Sequence, residues 1–277
     1  MDPRVTPVAL ADAHDVGLFG GKAVSLGAAL RAGLPVPGGA ALSVGFVDDV
    51  AASVASALDA LRSSAHIPRG RVAVRSSAVG EDSADSSFAG QHATHLNVLT
   101  DAVHSAVASV WASGRSEAAL AYRAQRGIAG DPAVAVVVQQ LVEPLAAGVL
   151  FTRNPMTGAD ERVIEAAWGL GEAVVSGRIV PDHFRLDARG HVLEEMPGDK
   201  DVKMVGTEGG GIVEVELDDD ARYTPCLTAA HLARLFELSE RCRSVWNGDL
   251  DLEWAIAPDG TCYLLQSRPI TTGTRRA

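Results

Sequence analysis

The run from Asp251 to Arg268 constrains the fold more than any other part of the chain. Asp259-Gly260 lies between two apolar-rich segments, the strongest short-range signal for a β-hairpin. A two-residue loop pairs Pro258 with Thr261, and counting back sets Glu253 opposite Gln266 and Asp251 opposite Arg268. Because side chains alternate along a strand, Asp251, Glu253, Gln266 and Arg268 share one face, and Leu252, Trp254, Leu265 and Ser267 share the other. The second face is a packing surface; the first is an oxygen-rich pad beside a guanidinium. Such a pad suits a hard cation shared with phosphates, since Mg²⁺ takes one or two protein oxygens and completes its shell with water and phosphate. A solvent-facing sheet with an ordinary cross-strand ion pair accounts for the same residues, and the hairpin alone does not choose between the two.

The 277 residues allow one large domain or two modest ones, each with a sizeable core. Hydrophobic residues make up 47% against 21% charged, a globular and not a disordered balance. The net charge of −11 argues against nucleic-acid and anionic-membrane partners, although a basic pocket can persist inside an acidic shell. No apolar run approaches the roughly 20 residues that span a bilayer, and Met-Asp-Pro-Arg-Val-Thr-Pro lacks a signal-peptide shape. Cys226, Cys242 and Cys262 are odd in number and have no CxxC spacing, which predicts free thiols and a cytoplasmic location.

Strand and helix signals alternate along the chain without a tandem repeat. Asp48 to Ser64 reads as one helical segment through Val50, Val54, Leu58 and Leu61. Arg71 to Arg75 reads as a short strand followed by a polar loop from Ser76 to Gln91. A helix is expected from Thr100, as N-cap, to about Gln125. The valine-rich run Ala133 to Gln140 has the mark of a strand buried on both faces. Gly148 to Thr152 and Val163 to Ala167 read as further strands, and Thr228 as the start of a helix with Leu232, Leu235, Phe236, Cys242 and Trp246 on one stripe. Mixed α and β in two subdomains is the expectation.

Three more segments can carry chemistry. Gly17-Leu-Phe-Gly-Gly-Lys-Ala-Val-Ser fails the phosphate-binding P-loop pattern, because Val16 stands where a glycine is needed and Ala23 where a hydroxyl is needed. Gly20-Gly21 before a helix still places Lys22 in a first turn, where backbone N–H groups attract anions; a surface lysine at a helix start fits equally. Val72-Ala-Val-Arg-Ser-Ser brings Arg75 to a strand end before a loop of small residues. That suits either a phosphate clamp or a plain surface loop. Gly148-Val-Leu-Phe-Thr-Arg-Asn-Pro-Met-Thr-Gly, Glu165-Ala-Ala-Trp-Gly-Leu-Gly-Glu and Pro181-Asp-His-Phe follow. Their Gly169 and Gly171 permit close approach of a ligand or of another strand.

In order along the chain, Gly-Gly-Lys-Ala-Val-Ser-Leu-Gly, Val-Arg-Ser-Ser-Ala, Ser-Phe-Ala-Gly-Gln, Gly-Val-Leu-Phe-Thr-Arg-Asn-Pro, Trp-Gly-Leu-Gly-Glu and Leu-Glu-Trp-Ala…Leu-Leu-Gln-Ser-Arg-Pro resemble the N-terminal nucleotide-binding domain of phosphoenolpyruvate synthase, pyruvate phosphate dikinase and rifampin phosphotransferase. The resemblance runs from Gly20 to Ile270. It implies an α+β ATP-grasp fold, with an N-terminal lobe over 1–130 and a C-terminal lobe over 131–277 holding ATP between them. It further implies that Lys22 and Arg75 contact the phosphates under a loop through Gly90. Gln139, Leu141 and Val142 would belong to the hinge that lines the adenine. Glu253 and Gln266 would bind Mg²⁺ with Asp251 as a second acid, and Arg268 would reach the transferring phosphate, so that Lys22, Arg75 and Arg268 carry the catalysis.

Two departures qualify the resemblance. The family's phosphocarrier histidine and acceptor domains have no counterpart in this sequence, and none of its eight histidines lies in a phosphocarrier context. The stretch between Ser43 and Arg71 is shorter than the helical insert usual there. The expected activity is a Mg²⁺-dependent phosphotransfer from ATP to a histidine on a separate domain or subunit, yielding AMP. The alternatives are a stand-alone kinase or ligase acting on a small-molecule acceptor, or a non-catalytic nucleotide-binding module.

Overall fold

The computed structural model describes residues 6–79, 93–125 and 130–270. Two compact units emerge. The first groups the chain up to Arg31 with Pro37–Leu141 and Thr207–Gly211; the second groups Ala32–Val36 with Val142–Gly206 and the chain from Ile212. Both mix helices and strands, the α+β class expected.

In the first unit the elements are β1 (Val8–Ala9), α1 (Val16–Arg31), β2 (Gly39–Leu42), α2 (Val44–Ala51), α3 (Ala55–Ser63), β3 (Arg71–Ala78), β4 (Thr94–Leu99), α4 (Val103–Ser113), α5 (Glu117–Gln125) and β5 (Val134–Gln140). The strands form one antiparallel sheet in the order β1-β2-β5-β3-β4. β5 is the middle strand, which explains its unbroken valines. Val134, Val136 and Val138 enter a core with Phe46, Val50, Leu61, Val107 and Val110, while Val137 and Gln139 are buried on the opposite face. The strand expected to open the second lobe at 131 is therefore the centre of the first sheet, and the division between units falls between Leu141 and Val142.

Local breaks divide two expected helices. Ser53, at φ 58°, ends the segment expected as one helix from Asp48 and separates α2 from α3. Thr100 does not cap a helix. Its Oγ1 accepts from Gly70 N at 2.8 Å and donates to Gly70 O at 3.0 Å, tying a short 3₁₀ turn to the start of β3. The helix that follows stops at Ser113 and restarts at Glu117.

The second unit contains β6 (Ala146–Phe151), β7 (Arg162–Trp168), α6 (Glu172–Val175), β8 (Asp182–Leu186), β9 (Val192–Met196), β10 (Val202–Gly206), β11 (Ile212–Glu216), α7 (Asp219–Tyr223), α8 (Ala229–Trp246), β12 (Leu250–Ile256) and β13 (Cys262–Pro269). Its main sheet is antiparallel in the order β13-β12-β6-β7-β8-β9, and β10 pairs with β11 apart from it. α8 starts as the sequence predicts. Thr228 Oγ1 accepts from His231 N, and Thr228 N donates to His231 Nδ1, a reciprocal cap. Its buried stripe is Leu232, Leu235, Leu238 and Cys242, with Phe236 and Trp246 only half-buried.

The C-terminal hairpin reaches its expected pairing by an unexpected route. Ala257 N donates to Thr261 O and Gly260 N to Ala257 O, so the loop has three residues, Pro258 to Gly260, with Gly260 at φ 81°. Ile256 then pairs with Cys262 and Trp254 with Leu264, one step off the predicted register. Leu265 is the extra residue of a bulge between Glu253 and Trp254, and it restores the phase. Beyond the bulge Glu253 pairs with Gln266 and Asp251 with Arg268, as read from the sequence. The bulge corrects one partner: Leu264, fully buried, takes the place expected for Leu265 beside Trp254.

Candidate functional site

Within the second unit, Asp251, Glu253, Gln266 and Arg268 lie on one face of β12 and β13, and the opposite face buries Leu252 and Trp254. β12 is an interior strand, hydrogen-bonded to β13 on one side and β6 on the other, so the two carboxylates stand on a backbone paired along both edges. Gln266 is buried. With its amide turned so that the oxygen faces the guanidinium, Arg268 Nε and Nη2 both donate to that oxygen. Arg268 thus engages its neighbour two residues back on the strand.

Asp251 Oδ1 is buried and has no hydrogen-bond partner among the described residues. Its pKa is pushed up to about 6, first by burial and then by the charge of Glu253, with Arg268 opposing. Asp251, with a buried oxygen that lacks a donor among the described residues, is under-compensated, and a divalent cation would satisfy it. An amide oxygen beside two carboxylates is a hard-donor set that suits Mg²⁺, which also needs open positions for phosphate. No cluster of three or more His, Cys, Asp or Glu side chains able to hold a metal occurs among the described residues.

Within the first unit, Lys22 is no surface lysine. It is 4% exposed, and its Nζ donates to Ser76 O at 2.9 Å. The helix that carries it is kinked at Gly20 (φ 73°, ψ 170°), just before the turn holding Lys22. A Cβ at Gly20 would lie 1.8 Å from Ser77 O, so only glycine allows this approach. Ser77 closes the contact: its hydroxyl accepts from Ala23 N at 3.0 Å and donates to Phe19 O at 2.6 Å. Ser77 therefore points at α1, and Arg75, two residues earlier on β3, shares that face with Lys22 nearby. The structure brings these two predicted cations onto one side of one sheet.

The remaining predicted residues divide. Gln139 is buried, and its Nε2 donates to Pro37 O at 3.0 Å, which leaves its side chain occupied within the unit. Gln140 N donates to Gly38 O and Leu141 N to Arg71 O; Val142 begins the second unit, so a hinge assignment for Leu141 and Val142 rests on backbone at the boundary. Gly90 lies outside the described residues. Gly169 resolves the choice between ligand and strand: at φ 74° it bridges to Met204, whose carbonyl oxygen would lie 2.5 Å from an added Cβ.

Sequence reasoning missed the role of Pro181-Asp182-His183 and the importance of Lys200. Asp182 and Lys200 are fully buried and form an ion pair. Asp182 Oδ1 also accepts from Gly198 N at 2.7 Å, and Oδ2 from Cys226 N at 2.7 Å. Three groups, from Gly198, Lys200 and Cys226, meet at one carboxylate, a structural clamp within the second unit. Burial, with the charge of Asp182 second, pushes the Cys226 thiol far up, so it has no thiolate character.

Comparison with known proteins follows the same geometry. Residues 39–277 match the family described as pyruvate phosphate dikinase, AMP/ATP-binding domain. A probable phosphoenolpyruvate synthase of Methanothermobacter thermautotrophicus is 35% identical, over 93% of this chain and 44% of its own length. A rifampicin phosphotransferase of a Streptomyces species is 38% identical, over 81% of this chain and 26% of its own. This chain therefore spans less than half the length of either relative. Among solved structures, D-alanyl-alanine synthetase A of Vibrio cholerae aligns over 95% of this chain and 59% of its own, at a TM-score of 0.40 and 14% identity.

Proposed function

This chain belongs to the pyruvate phosphate dikinase AMP/ATP-binding family, and from that premise we propose that it is the Mg·ATP-using unit of a phosphotransferase. The observation that carries the proposal is the convergence of Asp251, Glu253, Gln266 and Arg268 on one rigid sheet face. A bare nucleotide-binding module has little need of two acids and an amide beside a guanidinium.

In this reading the fold is of ATP-grasp type, and Lys22 and Arg75 hold phosphate oxygens from the first unit. Glu253, Gln266 and Asp251 would hold Mg²⁺, which would supply neutralisation of phosphate charge. The Arg268 guanidinium, already oriented by Gln266, stabilises charge developing on the transferring group, because its fork fits phosphoryl oxygens better than a lysine can. The backbone of Gln139 to Val142 faces the adenine. Phosphoryl transfer needs positioning and charge neutralisation more than covalent chemistry from the protein, and these residues supply both. The β-phosphoryl group passes to a histidine on a separate domain or subunit and the γ-phosphoryl group to water or phosphate, so that ATP ends as AMP.

Nucleotide product analysis tests this reading. Purified protein is given Mg·ATP alone and together with a separately produced phosphocarrier-histidine domain from a relative. AMP formation that requires the histidine domain is the expected result. ADP with a small-molecule acceptor would replace it with a stand-alone kinase or ligase. Absence of Mg·ATP binding would overturn the nucleotide assignment altogether.

A further inference from the structure

The site face of the second sheet extends beyond the acidic pad. Directly paired residues in an antiparallel sheet carry their side chains on the same face. Gln266 pairs with Glu253, Glu253 with Val149, Val149 with Glu165, and Glu165 with His183. One row of side chains therefore runs from the pad across β6 to a carboxylate on β7 and an imidazole on β8. Glu165 and His183 are each half-buried. Neither side chain has a hydrogen bond or an ion pair among the described residues. The cation closest to them along β8, Arg185, is taken by Glu161 at 3.0 Å and by Glu194 at 2.5 Å. On the other side of Glu165 the face turns apolar, where Val149 and Met204 pack on a cluster containing Ala167, Val174 and Val202.

A carboxylate fixed on an interior strand, half removed from water and lacking any donor, is costly to leave so unless a ligand supplies one. The position of Glu165 says which part of a nucleotide does. Two strand spacings separate it from Glu253, about 10 Å across the sheet. A nucleotide whose terminal phosphates are held at the pad and which lies across the strands reaches β7 with the portion beyond its α-phosphate. An anionic side chain repels phosphate oxygens but accepts from hydroxyls, and the sugar is the part of a nucleotide that offers them. Resting on the Mg·ATP reading above, we infer that Glu165 accepts hydrogen bonds from the ribose hydroxyls. His183 is the positioning residue that lines the other side of that contact. The site is thereby selective for ribonucleotides over deoxyribonucleotides. Val149, between Glu165 and Glu253, provides flat apolar floor where a charged group would compete for the cation.

Equilibrium binding of Mg·ATP, Mg·2′-deoxyATP and Mg·3′-deoxyATP to the wild type, Glu165→Ala, Glu165→Gln and His183→Asn tests the inference. Wild type is expected to favour ATP over at least one deoxy analogue by on the order of 10-fold, the worth of a hydrogen bond to a charged group. Glu165→Ala should lower ATP affinity to that of the analogue and leave the analogue's affinity within about two-fold, abolishing discrimination. Glu165→Gln keeps an acceptor oxygen and should retain part of the preference, which guards against a folding defect in the alanine variant. His183→Asn should narrow the preference without abolishing it. Equal loss of affinity for ATP and both analogues, or full discrimination in Glu165→Ala, would overturn the inference while leaving the nucleotide assignment intact. Failure of wild type to bind Mg·ATP would overturn both.

Discussion

The acidic pad of the second unit and the buried lysine of the first are held by different kinds of contact. Asp251, Glu253, Gln266 and Arg268 stand on two strands joined by a three-residue loop, and each meets its neighbour through nearby pairing. Lys22 and Arg75 are brought together by contacts between segments 54 residues apart: Lys22 Nζ on Ser76 O and Ala23 N on Ser77 Oγ. The pad is a product of strand phase, and a side chain can be removed from it without disturbing the backbone. The lysine depends on a backbone-to-backbone fit with no slack. Chemistry on the pad is therefore separable from stability, and chemistry at the lysine is not.

Gly20→Ala breaks the comparison most directly. The new methyl would meet Ser77 O at 1.8 Å, at a φ of 73° unfavourable to any L side chain. Left-handed strain and overpacking together should cost about 3 kcal/mol, read as a lowered urea midpoint, with nucleotide binding lost alongside. Unchanged stability would mean that the kink is not the anchor of Lys22. Glu253→Ala should behave in the opposite way. Turnover should fall by about 100-fold with Mg·ATP affinity weakened, as for loss of a preorganised charge-stabilising group, while stability moves by less than about 1 kcal/mol. A large drop in urea midpoint for this variant would show that the pad is structural after all.

Asp251→Asn sharpens the comparison through pH. An acid whose folded pKa is about 6, against an ordinary 3.8, binds its proton more tightly folded than unfolded. Its cost is absent below about pH 4, grows as pH rises between the two values, and is fully present above about pH 6. Measured without metal or nucleotide, Asp251→Asn should be more stable than wild type at pH 8 by about 2 kcal/mol, and equal to it near pH 4. A variant less stable than wild type at pH 8 would mean that the Asp251 carboxylate is compensated in the free protein.

The same distinction explains which features could be read from the sequence. Asp259-Gly260 and strand alternation led to the right partners for the four pad residues, although the two-residue loop they imply is not the one formed: a three-residue loop and the bulge at Leu265 offset one another. The double burial of β5 was legible in its valines, yet its role as the middle strand of the first sheet was not, since that depends on pairing with β2 and β3 from far along the chain. Lys22 could be located at a helix start but not recognised as buried; nothing near it in sequence reveals Ser76 and Ser77. Asp182 and Lys200 escaped for the same reason, as did Glu165 and His183, whose relation to the pad exists only through the register of four neighbouring strands. Ser53 and Thr100 failed differently. One residue with positive φ and one hydroxyl bound to Gly70 outweighed helical periodicity.

The bulge at Leu265 has a consequence for how this hairpin tolerates change. It acts as a phase adjuster placed between the loop and the pad, so the loop-side pairs run one step out of step with the pad-side pairs. Deleting one residue from the loop would leave Ala257 facing Thr261 and every loop-side pair in place, so the bulge and the pad would both persist. Deleting Leu265 would join Leu264 directly to Gln266, so that Trp254–Leu264 and Glu253–Gln266 became successive pairs of a regular ladder and Asp251 kept Arg268. The bulge thus stores one residue of slack on β13: a shortening of that strand between loop and pad is taken up, whereas the same shortening of β12 widens the mismatch between the strands.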